Sequence, residues 1–258
     1  MTGGTPSPGL LDALHHRYRR RVWTARVAMV EVPVVAAAAV VAALTVAPAR
    51  SPGDLHDVAY VTARTDAALG TTSDVIVHST AATGTFDTWS DERTGRSRTD
   101  VYDQDGRLAA SAAWRGNPPT TTRVDLAEHT WWTAPGNTPD TTEPDTTINP
   151  DAIRQLLHNP HVHLAGADTI AGHRATHLEI TVSSDAPGGR VDLWVDAETY
   201  HLLRERITIP DLPVSTTDYT WLARTPSNLA RCELTVPAGF AQVASPYGTT
   251  PPPSTTPR

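Results

Sequence analysis

Residues 166–209 read GADTIAGHRATHLEITVSSDAPGGRVDLWVDAETYHLLRERITI, and this stretch decides the fold. Leu178, Ile180 and Val182 alternate with His177, Glu179 and Thr181. After Pro187-Gly188-Gly189 the alternation resumes, with Val191, Leu193 and Val195 opposite Arg190, Asp192 and Trp194. A second turn, Asp196-Ala197-Glu198-Thr199, leads into 201–209, where Leu203, Ile207 and Ile209 are in phase. A period of two with one apolar and one polar face is the signature of antiparallel strands with one wet side. Asp196 and Thr199 are read as turn formers, because their side chains bond nearby backbone amides, and Trp194 as structural.

Outward from this meander the pattern repeats in shorter pieces. Leu108, Ala110, Ala112 and Trp114 alternate after an Asp105-Gly106 turn signal. Residues 75–80, 86–92, 98–103, 123–127 and 130–133 are further short strands, and a strand is expected around Leu234. Helices are few. Residues 54–69 form an amphipathic pattern with an acidic cap, and Asn149-Pro150-Asp151 supplies an N-cap, a first-turn proline and an acid suited to the helix dipole. Ile153, Leu156 and Leu157 follow before Pro160, and Thr225-Pro226 starts a short turn carrying Leu229. The expected fold class is α+β: a curved antiparallel sheet forming an open half-barrel around helices, preceded by one transmembrane helix.

That transmembrane helix is residues 27–47, VAMVEVPVVAAAAVVAALTVA. Twenty-one residues span about 31 Å as a helix, roughly the hydrocarbon thickness of a bilayer. Glu31 and Pro33 lie near its N-terminal end, where a carboxylate reaches the interface. The chain has 258 residues, no lysine and a net charge of −7. Residues 1–50 carry +4 through arginines 17, 19, 20, 21, 26 and 50, so the rest carries −11. The arginine cluster before the apolar run places the N-terminus in the cytoplasm and the main domain outside, on a cell membrane. A cleaved signal peptide with a site at Ala47-Pro48-Ala49 is the rival, against which stand the long arginine-rich leader and Pro48. The expected divisions are a basic cytoplasmic segment 1–26, the span 27–47, an extracytoplasmic domain 48–245 and a Pro/Thr tail 246–258.

The acidic balance argues against nucleic acid, and a hydrophobic content of 39% excludes a many-helix transporter. One cysteine, Cys232, excludes an intramolecular disulfide framework and reads as a small buried hydrophobe. There is no Gly-x-Ser-x-Gly elbow, His-Glu-x-x-His, phosphate loop or dinucleotide fingerprint, so no enzymatic activity and no cofactor are expected. Histidines are plentiful. His161 and His163 share a face if extended and are the weak metal candidates, yet no carboxylate completes a ligand set there and Pro160 suggests a loop. Seven of the fifteen aromatics are tryptophans. Trp89, Trp114, Trp132 and Trp221 are the candidate lining of a ligand cavity, and the adjacent Trp131 and Trp132 should point to opposite faces.

The run 166–209 resembles the core of the LolA-like, RseB-like and LppX-like superfamily of lipoprotein carriers. There a strand with an early glycine, an "LWVD..T" hairpin and a following strand succeed one another. The segment YTWLARTPSNLARCELTVPAGFAQV, residues 219–243, resembles the end of related membrane-anchored proteins of high-GC Gram-positive bacteria. The resemblance spans residues 54–245, is strongest over 165–245, and concerns fold rather than a catalytic site. It implies an apolar cavity between sheet and helices that holds a lipid or acyl chain. The RseB-like branch implies the alternative, an envelope-stress sensor or scaffold that docks a protein partner and regulates an anti-sigma or sigma factor. A third alternative is a hydrolase whose site carries no recognisable motif.

Overall fold

A computed structural model of the chain describes residues 57–135, 149–182 and 189–245. The segments 1–26, 27–47 and 246–258 and the Pro187-Gly188 turn lie outside the described residues. Among the described residues no helix is long and apolar enough to cross a membrane.

The strands are β1 (Val75–Ala81), β2 (Phe86–Asp91), β3 (Arg96–Tyr102), β4 (Leu108–Gly116), β5 (Pro119–Asp125) and β6 (Thr130–Pro135). There follow β7 (Val162–Ile170), β8 (His173–Val182), β9 (Gly189–Asp196), β10 (Leu202–Thr208), β11 (Ser215–Ala223) and β12 (Ala241–Gln242). The helices are α1 (Val58–Leu69), α2 (Pro150–Leu157) and α3 (Pro226–Arg231). All strands join one sheet in the order β12-β6-β5-β4-β3-β2-β1-β11-β10-β9-β8-β7. The sheet is open and curved, with its two edge strands, β12 and β7, not paired to each other. Pairing is antiparallel except at β12, which lies parallel to β6.

The helices form where the sequence provides ends for them. Asp57 caps α1 by accepting from the Ala59 amide at 3.3 Å, and Asn149 caps α2 by accepting from the Ala152 amide at 3.1 Å. In α1, Val61, Thr65 and Leu69 recur every fourth residue as a buried stripe. In α2, Ile153, Leu156 and Leu157 are buried. Arg154 of α2 donates to Asp66 of α1 at 2.8 Å and ties the two helices together.

Both helices cover the same half of the sheet. The main apolar cluster unites them with Val77 of β1, Val162 of β7, Leu178 and Ile180 of β8, Val191, Leu193 and Val195 of β9, Leu202 and Ile207 of β10 and Tyr219 of β11. No residue of β2–β6 belongs to it. Each fully buried leucine or isoleucine here contributes roughly 1.5–3 kcal/mol. On the opposite face α3 brings Leu229, with Cys232 just beyond its end, to a small cluster with Ile76, Trp89 and Leu222. The face under α1 and α2 is called inner and the other outer.

Three expectations need correction. The register slips between Leu202 and Arg204, so Leu202 enters the inner cluster, while Leu203 packs on the outer face with Ile170, Ala175 and Trp194. The extra residue of a bulge inverts strand parity, which periodicity cannot register. Leu234 lies in no strand. Its neighbour Glu233 has its carbonyl held by the Arg98 guanidinium at 3.2 Å, and Pro237 has no amide to give a ladder. Of the stretch 161–163, suggested as loop by Pro160, His161 is in a turn but His163 lies in strand β7 at the sheet edge.

Candidate functional site

Cross-strand register decides which side chains share a face. Starting from Val77 on the inner side, Trp221 is its direct partner on β11 and Ser90 its partner on β2. From Ser90 the row continues through Ser97 and Trp114 to Thr121 and Ala134. The neighbouring row runs Ser79, Thr88, Thr99, Ala112, Arg123, Trp132. Trp114, Trp132 and Trp221 therefore face the inner side together, and Trp131, paired to Val124, faces the outer side as alternation requires.

Trp89 is not with them. It pairs with His78 on the outer face and packs against Ile76 and Cys232. Trp194 is outer as well, its indole N–H donating to Asp168 Oδ2 at 3.0 Å. Asp196 Oδ1 accepts from the amides of Glu198 (2.9 Å) and Thr199 (2.8 Å), which closes the β9–β10 turn. Burial pushes the Asp196 carboxyl up, but these amides together with the Thr199 hydroxyl and His173 hold it below the usual carboxylate range. His161 precedes β7 and His163 lies opposite Glu179, both exposed. Among the described residues no group of three or more His, Cys, Asp or Glu side chains gathers as a metal site.

The inner face also holds residues that sequence reasoning passed over. Glu205 pairs with Leu193 on one side and Thr217 on the other, and is fully buried within the apolar half. The hydroxyl of Tyr219 donates to Glu205 Oε2 at 3.2 Å. The hydroxyls of Thr217 on β11 and Thr65 on α1 are buried with no hydrogen-bond partner among the described residues. A buried hydroxyl left unpaired costs about 1–3 kcal/mol, so such groups call for a partner. The only sequence signal was the break in apolar alternation at Glu205.

Histidine–tryptophan stacking is a second such feature. His78 lies on Trp89 (4.6 Å between centroids), His177 on Trp194 (4.4 Å) and His201 on Trp221 (4.3 Å), all within 12° of parallel. Trp221 also donates to the Leu202 carbonyl at 2.7 Å. Burial lowers the His201 imidazole below its ordinary value, opposed by the nearby Asp196 carboxylate. Direct cross-strand pairing brings the first two stacks together.

No protein-family model and no curated protein matches the sequence. Solved structures do. An uncharacterized conserved protein from Thermus thermophilus is 9% identical over 72% of this chain and 97% of that one, with a TM-score of 0.42. The lipoprotein LppX of Mycobacterium tuberculosis is 15% identical over 64% and 92%, at 0.41. The MucA/MucB complex structure of Pseudomonas aeruginosa gives 16% identity over 70% and 64%, also at 0.41. LppX and MucB set no side chain of this chain's inner face in a role.

Proposed function

We propose that this chain is a membrane-anchored, extracytoplasmic binding module that holds a lipid or acyl chain against the inner face of its open sheet and performs no chemistry on it. One observation carries the reading: an apolar inner surface in which Glu205, Thr217 and Thr65 are buried polar groups. Leu178, Leu193 and Ile207 are packed under α1 and α2, so an acyl tail takes them as apolar partners by displacing the helices from the sheet. A hydroxyl or ester head finds acceptors and donors in Glu205 and the two threonine hydroxyls. Trp114, Trp132 and Trp221 flank that surface with large amphipathic rings.

The test is native mass spectrometry of the full chain extracted from its membrane in a mild detergent, followed by release and identification of any lipid. A stoichiometric lipid adduct that is weakened in Thr217→Val is the expected result. Absence of any adduct, together with unchanged stability on adding acyl lipids, overturns the reading. Recovery of a stoichiometric protein partner without lipid would replace it by the docking alternative. Proteolysis of spheroplasts checks the proposed topology, because the domain should be cut from outside.

A further inference from the structure

At the end of the sheet nearest the β2–β3 and β4–β5 turns lies a cleft of about 420 Å³, lined by Thr94, Arg96, Arg115, Asn117, Pro118 and Thr120 among others. Arg96 and Arg115 are direct cross-strand partners on the outer face. Like charges placed opposite one another destabilise a strand pair, so this arrangement asks for an anion between them. One is supplied from far along the chain. The carboxylate of Glu233 accepts from Arg96 Nη1 through Oε1 and from Arg115 Nη2 through Oε2, the latter at 2.9 Å.

The neighbouring acids are committed elsewhere. Asp91, across from Arg96 on β2, accepts two bonds from Arg224 (3.1 and 2.8 Å) and one from Thr94. Asp100 is bidentate with Arg98 at 2.9 Å for both bonds and accepts from Ser111. Two guanidinium charges thus meet one carboxylate, and one positive charge is left over. Both arginine side chains are about half exposed, at 47% and 57%, and both line the cleft. The frame behind them is close-packed. A Cβ on Gly116 would lie 3.2 Å from the Gly95 carbonyl oxygen and 3.2 Å from the Trp114 ring, so the two turns are pressed together on that indole.

We propose that this cleft is an anion-binding site in which Arg96 and Arg115 clamp a phosphate-type oxyanion, and that Glu233 is a built-in carboxylate with which the ligand competes. Guanidinium pairs recognise oxyanions through charge-assisted, paired N–H bonds, and the surplus positive charge favours a monoanion such as a phosphodiester. The cleft opens on the outer face, away from the inner apolar surface, so this inference does not rest on the function proposed above.

The experiment follows the side-chain Nε–H resonances of 15N-arginine-labelled full chain in nonionic detergent. It is titrated separately with inorganic phosphate, with monomeric dihexanoyl phosphatidylglycerol and with dihexanoyl phosphatidylcholine. Saturable shifts confined to Arg96 and Arg115 are expected. Saturation by phosphate assigns a free oxyanion as the source, and saturation by phosphatidylglycerol alone assigns a lipid headgroup. The zwitterionic lipid should bind more weakly than phosphatidylglycerol, and equal binding overturns the surplus-charge argument. Arg96→Gln or Arg115→Gln should weaken binding about tenfold, as loss of one charge-assisted contact does. Glu233→Gln should tighten it severalfold. Unsaturable shifts spread over all arginines, or binding indifferent to all three substitutions, overturn the proposal.

Discussion

The two halves of the sheet share one backbone ladder and little else. From β1 through β11 to β7, the inner face is built of leucine, isoleucine and valine under two helices. From β2 to β6, the same face is built largely of serine, threonine and alanine, with Trp114 and Trp132 set among them. There the cross-strand links are polar: Thr88 to Thr99 at 3.0 Å on the inner side, and Thr122 to Thr133 at 3.1 Å and Thr80 to Asp87 at 2.8 Å on the outer. Burial stabilises the first half, since hydrophobic transfer scales with the area removed from water. In the second half each hydroxyl pair replaces bonds to water, and its net contribution is about 1 kcal/mol or less. A continuous sheet can therefore have one flank held by apolar packing under helices and one laced by hydroxyl pairs.

The largest effect should come from cutting into the apolar half. Leu193→Ala, at a site with no exposure, should cost about 2–5 kcal/mol in urea unfolding. A loss under about 1 kcal/mol would mean that the cluster is loosely filled and that the contrast between the halves is false.

Acidification comes next and acts on the apolar flank through His201. Its folded value lies below the unfolded one near 6.5, so the folded state binds fewer protons than the unfolded state. Stability is then full above the unfolded value and is lost as pH falls below it. The melting temperature should drop between pH 7.5 and 5.5, by less than the Leu193→Ala loss. His201→Gln should flatten that part of the profile. An unchanged slope in the variant would remove His201 from the account.

Smaller still is the paired replacement Thr88→Val with Thr99→Val in the polar half. Removing both hydroxyls together should change stability by less than about 1 kcal/mol. A loss rivalling that of Leu193→Ala would show the polar ladder to be as strong as the apolar core. The smallest effect is expected at Cys232. It is 3% exposed, and burial first, then the Asp91 and Glu233 carboxylates, push its thiol up to about 11. A maleimide at pH 7.5 should leave it unlabelled until the protein unfolds, because the thiolate is the nucleophile.

The strands of the meander were legible because each has one wet and one dry face, and their turns carry Asp, Gly and Pro. The cap of α2 at Asn149 was legible as well, since a capping side chain acts within two or three residues. The helix expected over 54–69, by contrast, begins at Val58 and takes Asp57 as its cap. What escaped depends on register. The bulge between Leu202 and Arg204 decides that Leu202 and not Leu203 faces inward, and no composition signal marks a bulge. Glu205 keeps the phase of Ile207, and only its pairing with Leu193 and Thr217 shows that it is buried. The face of Trp89 depends on pairing with β1, which set it against His78 rather than beside the other candidate tryptophans. Arg96, Arg115 and Glu233 meet across more than a hundred residues, through the tie between Arg98 and the Glu233 carbonyl.

The seam between β1 and β11 has a consequence for how the chain is made. Val75 pairs with Ala223 and Ala81 with Thr217, so the first strand waits for a segment that leaves the ribosome more than a hundred residues later. Until then the hairpins of β1 to β6 carry a naked edge, open to pairing with any extended neighbour. Contacts so far apart along the chain form slowly, which makes the arrival of residues 215–223 the event that locks the two flanks into a single unit. A chain cut short before that segment should leave its first six strands as an aggregation hazard rather than as a smaller working domain.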